Sequence, residues 1–365
     1  MKVLRITSLY ILLGLFLVVL SLIQRSAGFG NYTETVVYFA IPSVITGTVF
    51  QMYPVLQGIE VRFRPLIYLH AVFFLTSLGF FLAGLPFEAV YFLCVLVFTA
   101  YLLLNSRVRG GQIRLFLVVG SLFYLAGSYM LTMGFGNPFL VLHTFTVGFM
   151  ITVAMGSMYL LIPMLQVERV AFGRYLWVHL VFHTFFVVDL LISWHTLSWD
   201  HIYVSGILVL ASVLFLCLVL FMTLSRREGP RRGLDPTVRY MILALFILVF
   251  SLTVGILSAG AKDFSLIRVH TDTALYGFFV LITVGASLHI IPSINFWIRG
   301  GGPDTEKRVI EEKVSDRVMV VLTGSLVGMV ISGNLREVFT HTFELIYALG
   351  VLYYMKHAAD LTFRT

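Results

Sequence analysis

HTDTALYGFFVLITVGASLHIIP, His270–Pro292, is the stretch on which the reading of this chain turns. It is long enough to cross a bilayer, for which about 20 apolar residues suffice. Yet it opens on His270 and Asp272 and keeps His289 near its end. Ionisable groups inside a membrane are expensive and generally mark a site. An earlier stretch, HTFTVGFMITVAMGSMYLLIP (His143–Pro163), has the same outline.

The surrounding sequence makes the membrane reading firm. The 365 residues are 59% hydrophobic and 12% charged, with a mean hydropathy of +0.95, values a water-soluble domain of this size does not reach. Leu9–Ile23 has no small-residue cleavage site and precedes many further apolar runs, so it reads as a first membrane helix rather than a leader. Cys94 and Cys217 lie inside apolar runs, which excludes a disulfide framework, a C-x-x-C-H haem attachment and a thiolate cluster. Neither nucleotide-binding glycine motif is present. The basic balance of +7 reports orientation in the membrane, not nucleic acid.

Twelve spans fit the hydropathy, near 5–24, 35–56, 66–85, 88–106, 113–133, 138–164, 174–195, 202–224, 238–259, 268–296, 317–333 and 336–356. With the N-terminus inside, 21 of the 25 Lys and Arg fall on inner segments and only Arg25, Lys262, Arg268 and Arg336 on outer ones. That asymmetry predicts an integral protein of a bacterial or archaeal cytoplasmic membrane with both termini cytoplasmic. The segments 300–317 and 225–233 read as solvated connectors on that inner face.

Aligned on Pro163 and Pro292, the two stretches superpose Gly156 on Gly285 and Gly148 on Gly277. Helix two joins them, with Pro54 at its end and Gly47 seven residues earlier. Helices two, six and ten thus share a frame with a period of four helices. Packing glycines and helix-end prolines also recur in unrelated membrane helices. A true repeat predicts an all-α polytopic membrane protein: one domain, 1–365, whose twelve transmembrane helices form a pseudo-threefold bundle of four-helix arcs, roughly 1–106, 113–224 and 238–356.

The alternation of spans places His143, His195, His201, His270 and His341 at one depth, towards the outer face. Imidazoles from separate helices can hold haem iron, copper or zinc. Asp272 follows His270 by two residues and Glu344 follows His341 by three, so these carboxylates, with Asp189, are placed to support ligands or move protons. His179 and His183, spaced i, i+4, share a helix face that suits either a metal or a hydrogen-bonded polar stripe.

The twelve helices, the four-helix period and the histidines on helices six, seven and ten resemble the catalytic subunit of heme-copper oxidases, and most closely cbb-type oxidases and nitric oxide reductases. The resemblance implies a haem b ligated by His270. It also implies copper or non-haem iron held by His143 and His195, with His201 as a displaced substitute and His341 at the same depth. Asp272 and Glu344 would be the catalytic carboxylates, O2 or NO the gas, and a cytochrome or other electron-donor subunit the partner. In that family helix ten carries His-x-His, whose second member binds a low-spin haem; here the text is His270-Thr271-Asp272. The other low-spin ligand belongs to helix two, where this chain has Tyr32 or its neighbours and no histidine. Losing both together implies that one haem is gone. Two other readings stand beside an oxidase: a haem protein of nitric oxide tolerance resembling the NnrS family, and a metal transport or assembly protein.

Overall fold

The computed structural model describes residues 2–57, 63–105, 113–166, 169–226, 233–298, 310–332 and 337–363. Among them every regular element is a helix. In chain order these are α1 (Lys2–Ser26), α2 (32–57), α3 (Arg64–Leu82), α4 (Glu88–Leu104), α5 (Ile113–Met133) and α6 (138–166). They continue with α7 (Leu176–Thr196), α8 (Trp199–Ser225), α9 (Pro236–Ala261), α10 (267–298), α11 (Glu312–Ser332) and α12 (Glu337–Phe363). Ten are long and apolar enough to cross a membrane. The others are α4, with 17 residues, and α12, which carries Glu344, Lys356 and Asp360. Apolar side chains such as Phe221 and Phe246 stand about 70% exposed, as lipid-facing residues do.

The fold consists of two compact units, Met1–Gln51 with Gly229–Thr365, and Met52–Glu228. In the first, α1 packs on α2, α10 and α12, while α9 packs on α10 and α11. In the second, α5 lies against α4 and α6, and α7 against α8.

Helices two, six and ten are the most buried spans, at 78, 83 and 72%. Each also contains a stretch of wide π-helix: Thr35–Ala40, Thr144–Ile151 and Thr273–Phe279. All three begin nineteen residues before the prolines Pro54, Pro163 and Pro292, and all three begin on a threonine. The threonine hydroxyls donate to the carbonyl four residues back, Asn31 at 3.0 Å, Leu140 at 2.8 Å and Val269 at 2.7 Å. Such back-bonding competes with the backbone ladder and bends a helix, and π turns gather where a helix is widened for a purpose. In α10 the Tyr347 hydroxyl donates to the Tyr276 carbonyl inside the wide stretch.

The glycines of the frame are packing positions. A Cβ on Gly47 would meet the Thr7 carbonyl and Tyr10 Cβ at 2.8 Å. One on Gly285 would meet Tyr240 Cβ at 2.5 Å and the Thr237 carbonyl at 3.4 Å. The neighbour is Thr-x-x-Tyr in both cases, on α1 and on α9. The likeness therefore extends beyond helices two and ten to the helices they pack against.

Candidate functional site

Three helices of the first unit bring charge to one place. Arg25, in the last turn of α1, extends both Nη atoms to Asp272: Nη1 to Oδ1, and Nη2 to Oδ2 at 3.0 Å. Its Nε lies 2.8 Å from Glu344 Oε1. The second oxygen of Glu344 accepts from Ser26 Oγ at 2.8 Å and from His341 Nδ1 at 2.9 Å. Arg268, at the rim, stands 3.9 Å from both carboxylates. The guanidinium also lies over two rings, 5.5 Å from the centre of Tyr32 and 5.9 Å from that of Tyr276. Arg25, Asp272 and Glu344 are 9, 2 and 0% exposed.

Local sequence explains the convergence. Asp272 immediately precedes the π stretch of α10, Glu344 lies early in α12, and Tyr347, one turn on, fastens α12 to α10 through the Tyr276 carbonyl. A planar fork matching a carboxylate edge on is the geometry in which arginine is favoured over lysine. Without it, two buried carboxylates would face each other in a medium that screens little.

His270 lies beside this cluster but turns away from it. Its Nδ1 is 2.8 Å from the Ser251 carbonyl on α9, and Ser251 Oγ donates to the His270 carbonyl at 2.9 Å. A carbonyl only accepts, so Nδ1 carries the proton and Nε2 holds a lone pair. The ring packs so closely on α9 that a Cβ at Gly255 would come within 2.9 Å of it.

In the second unit His143 Nδ1 donates to the Phe139 carbonyl at 2.7 Å, and its ring lies 4.9 Å from the Trp194 indole. His195 stacks on Phe135 at 5.7 Å, and His201 is exposed at the start of α8. Asp189 accepts from Ser205 Oγ at 2.5 Å. Among the described residues no three His, Cys, Asp or Glu side chains are grouped as a metal ion requires. Within the first unit, His341 thus meets Glu344, and Asp272 is joined to Glu344 through Arg25.

Arg25 is the functional candidate that sequence reasoning passed over, because it counted only as one of four outer cations. The available signal was charge balance: two acidic residues inside apolar spans at one depth require a cation, and Arg25 ends its helix at that depth.

No family model matches the chain. It is similar to an uncharacterized protein of Aquifex aeolicus (strain VF5), 28% identical over 304 residues, covering 80% of this chain and 78% of that protein. The shared region is long enough to include most of the spans.

Proposed function

We propose that the chain is a heme-copper-oxidase-like membrane protein that carries one haem b on His270. In this reading the place of a second, low-spin haem is taken by the Arg25–Asp272–Glu344 cluster. The observation that supports it is a meeting of two departures. Asp272 stands where the resembled family has one low-spin ligand, Tyr32 or its neighbours stand where it has the other, and Tyr32 and Asp272 both contact the same guanidinium. A haem lost from between two helices leaves polar positions to be rejoined, and a buried ion cluster rejoins them.

The residues at His270 fit a single axial ligand. Ligating histidines are generally held by a bond from their other nitrogen to a carbonyl or carboxylate, and the Ser251 carbonyl does this for Nδ1. Gly255 makes room for the ring, and Arg268, half exposed two residues earlier, is the cation nearest in sequence for a propionate. Bound there, the haem would supply a site for O2 or NO. In the second unit the rings of His143 and His195 pack on Trp194 and Phe135, and among the described residues no group of three ligands forms there. This favours the binding of a diatomic gas over its reduction, as in the haem protein of nitric oxide tolerance considered above. The frame shared by α2, α6 and α10 supports a pseudo-threefold bundle, and the Lys and Arg asymmetry supports cytoplasmic termini.

The test is an optical spectrum of the detergent-purified protein, oxidised and dithionite-reduced, with a pyridine haemochrome assay and added CO. The reading requires one CO-reactive haem b, lost in His270→Ala and retained in His143→Ala. Expression in a haem-replete host without bound haem overturns it and favours metal transport or assembly.

A further inference from the structure

The haem reading makes no use of the edge of the first unit formed by α11 and α12. Gly328 faces Phe343 and Gly350 faces Val321, so the two helices run antiparallel. The contact is close: a Cβ on Gly350 would come within 2.9 Å of Val321 Cγ1 and 3.1 Å of Leu322 Cδ2. Beside it opens a groove of about 480 Å³, a volume in the range of ligand sites. Val321, Ile346, Leu349 and Gly350 line its apolar part, and Arg317 and Tyr353 stand together at one end. Ile346, Leu349 and Tyr353 are all exposed. From Ile346 to Tyr353 the groove follows about 10 Å of helix.

The charged end has cations to spare. Arg239 of α9 takes the two acidic residues of the first turns of α11, with Nη1 2.9 Å from Asp316 Oδ1 and Nη2 on Glu312 Oε1. Lys313 and Arg317, spaced i, i+4, share another face of the same helix, where like charges repel. Among the described residues neither meets a carboxylate. Lys356 is exposed one turn past Tyr353, whose ring packs on that of His357 at 4.9 Å. Glu311 precedes α11 and Asp360 lies near the end of α12, both beyond the groove.

We propose that this groove binds one anionic glycerophospholipid, with an acyl chain along Val321, Ile346, Leu349 and Gly350 and the phosphate at Arg317. The complementarity is that of a lipid: an apolar channel that ends on a cation without a counter-charge. Basic pockets between membrane helices recognise acidic headgroups in this way. Tyrosine belongs at headgroup level, and an arginine stem lies along apolar surface while its guanidinium reaches the interface. The bound phosphate would relieve the repulsion between Lys313 and Arg317 and hold the ends of α11 and α12 together. A second copy of the chain fits less well. A twofold axis along the membrane normal sets each residue against its own depth, so Arg317 and Lys313 would meet their copies. A partner helix needs an apolar seam several turns long, and this one ends on charge after about two turns.

The experiment is native mass spectrometry of the full chain released from micelles, titrated with phosphatidylglycerol or phosphatidylcholine of identical acyl chains. One phosphatidylglycerol per chain should be held more tightly than any phosphatidylcholine. Arg317→Gln should weaken phosphatidylglycerol about five-fold, the effect of one basic side chain at an acidic headgroup, and leave phosphatidylcholine unchanged. Arg317→Lys should keep the preference. Leu349→Trp, which fills the apolar part, should weaken phosphatidylglycerol with Arg317 in place. Arg64→Gln, at an exposed arginine of the second unit, should bind as the wild type does. Each substituted side chain is exposed, so the variants fold. Equal binding of the two lipids, unchanged phosphatidylglycerol binding in Arg317→Gln, or an equal loss in Arg64→Gln overturns the proposal. So does displacement of the lipid by glycerol phosphate, which would make this a site for a soluble anion. A dimer that dissociates in Leu349→Trp also overturns it and gives the groove to a second copy.

Discussion

The two units bury polar side chains by opposite means. In the first, charge answers charge: Arg25 holds Asp272 and Glu344 where almost no solvent reaches them. In the second, rings and hydroxyls answer one another: Tyr159 Oη and Ser212 Oγ bond to His179, and Ser212 Oγ and Thr152 Oγ1 to His183, with no carboxylate among them. The difference is one of brittleness. Taking a member from an ion cluster leaves the others charged and desolvated, whereas taking one from a neutral set leaves a single unmade hydrogen bond.

Arg25→Met tests the brittle side and has the largest expected effect. The substituted side chain fills similar space but leaves Asp272 and Glu344 with only Arg268, 3.9 Å away at the rim. Stability measured by equilibrium unfolding in mixed micelles should fall by about 3–5 kcal/mol, the usual cost of breaking a buried pair from one side. Adding Asp272→Asn and Glu344→Gln to the same protein should recover most of that loss. A single-variant cost below about 1 kcal/mol, the range of exposed pairs, would show that water already shields the cluster.

The same contrast explains what could be read before the structure. The helices were legible because a bilayer imposes a length and an apolar composition on a span, demands that ten of the described helices meet, and 113–133 for α5 needed no adjustment. The frame of α2, α6 and α10 was legible in its prolines and glycines, and Gly47 and Gly285 pack as close-approach positions should. The π stretches were not: each opens on a threonine bonded to the carbonyl four residues back, Thr35, Thr144 and Thr273, and the same bond from Thr223 and Thr253 leaves their helices regular. Asp272 and Glu344 were singled out as carboxylates in lipid, but for supporting histidines; the partner that matters, Arg25, resembled an ordinary flanking charge. The expectation of a histidine centre rested on depth and on the likeness of helices six, seven and ten to a heme-copper oxidase. Depth does not fix azimuth, since each residue turns a helix face by about 100°; within its own unit His270 packs on Ser251 of α9, and His143 on Trp194.

His183→Leu tests the neutral side. It removes the ring partner of both Ser212 Oγ and Thr152 Oγ1, leaving two hydroxyls that can turn to backbone carbonyls within their own helices. The loss should be about 1–3 kcal/mol by the same unfolding measurement, smaller than for Arg25→Met. Thr152→Val in the His183→Leu background should cost little more, because its partner is already gone. A loss as large as that of Arg25→Met would mean that these rings carry charge after all, and the contrast between the units would collapse.

The smallest effect should come from the edge of the charged cluster. His341 gives Glu344 one hydrogen bond, but its side chain is 43% exposed, and the same carboxylate oxygen also accepts from Ser26. The other oxygen stays on Arg25. His341→Ala therefore leaves no buried group without a partner, and should change stability by about 1 kcal/mol or less, as solvent-screened pairs do. Its effect should shrink further between low and high salt, whereas that of Arg25→Met should not, since ions in water reach the rim and not the dry pair. A large, salt-insensitive loss in His341→Ala would move the boundary of the dry region outward to include His341. The cluster would then be a four-residue unit.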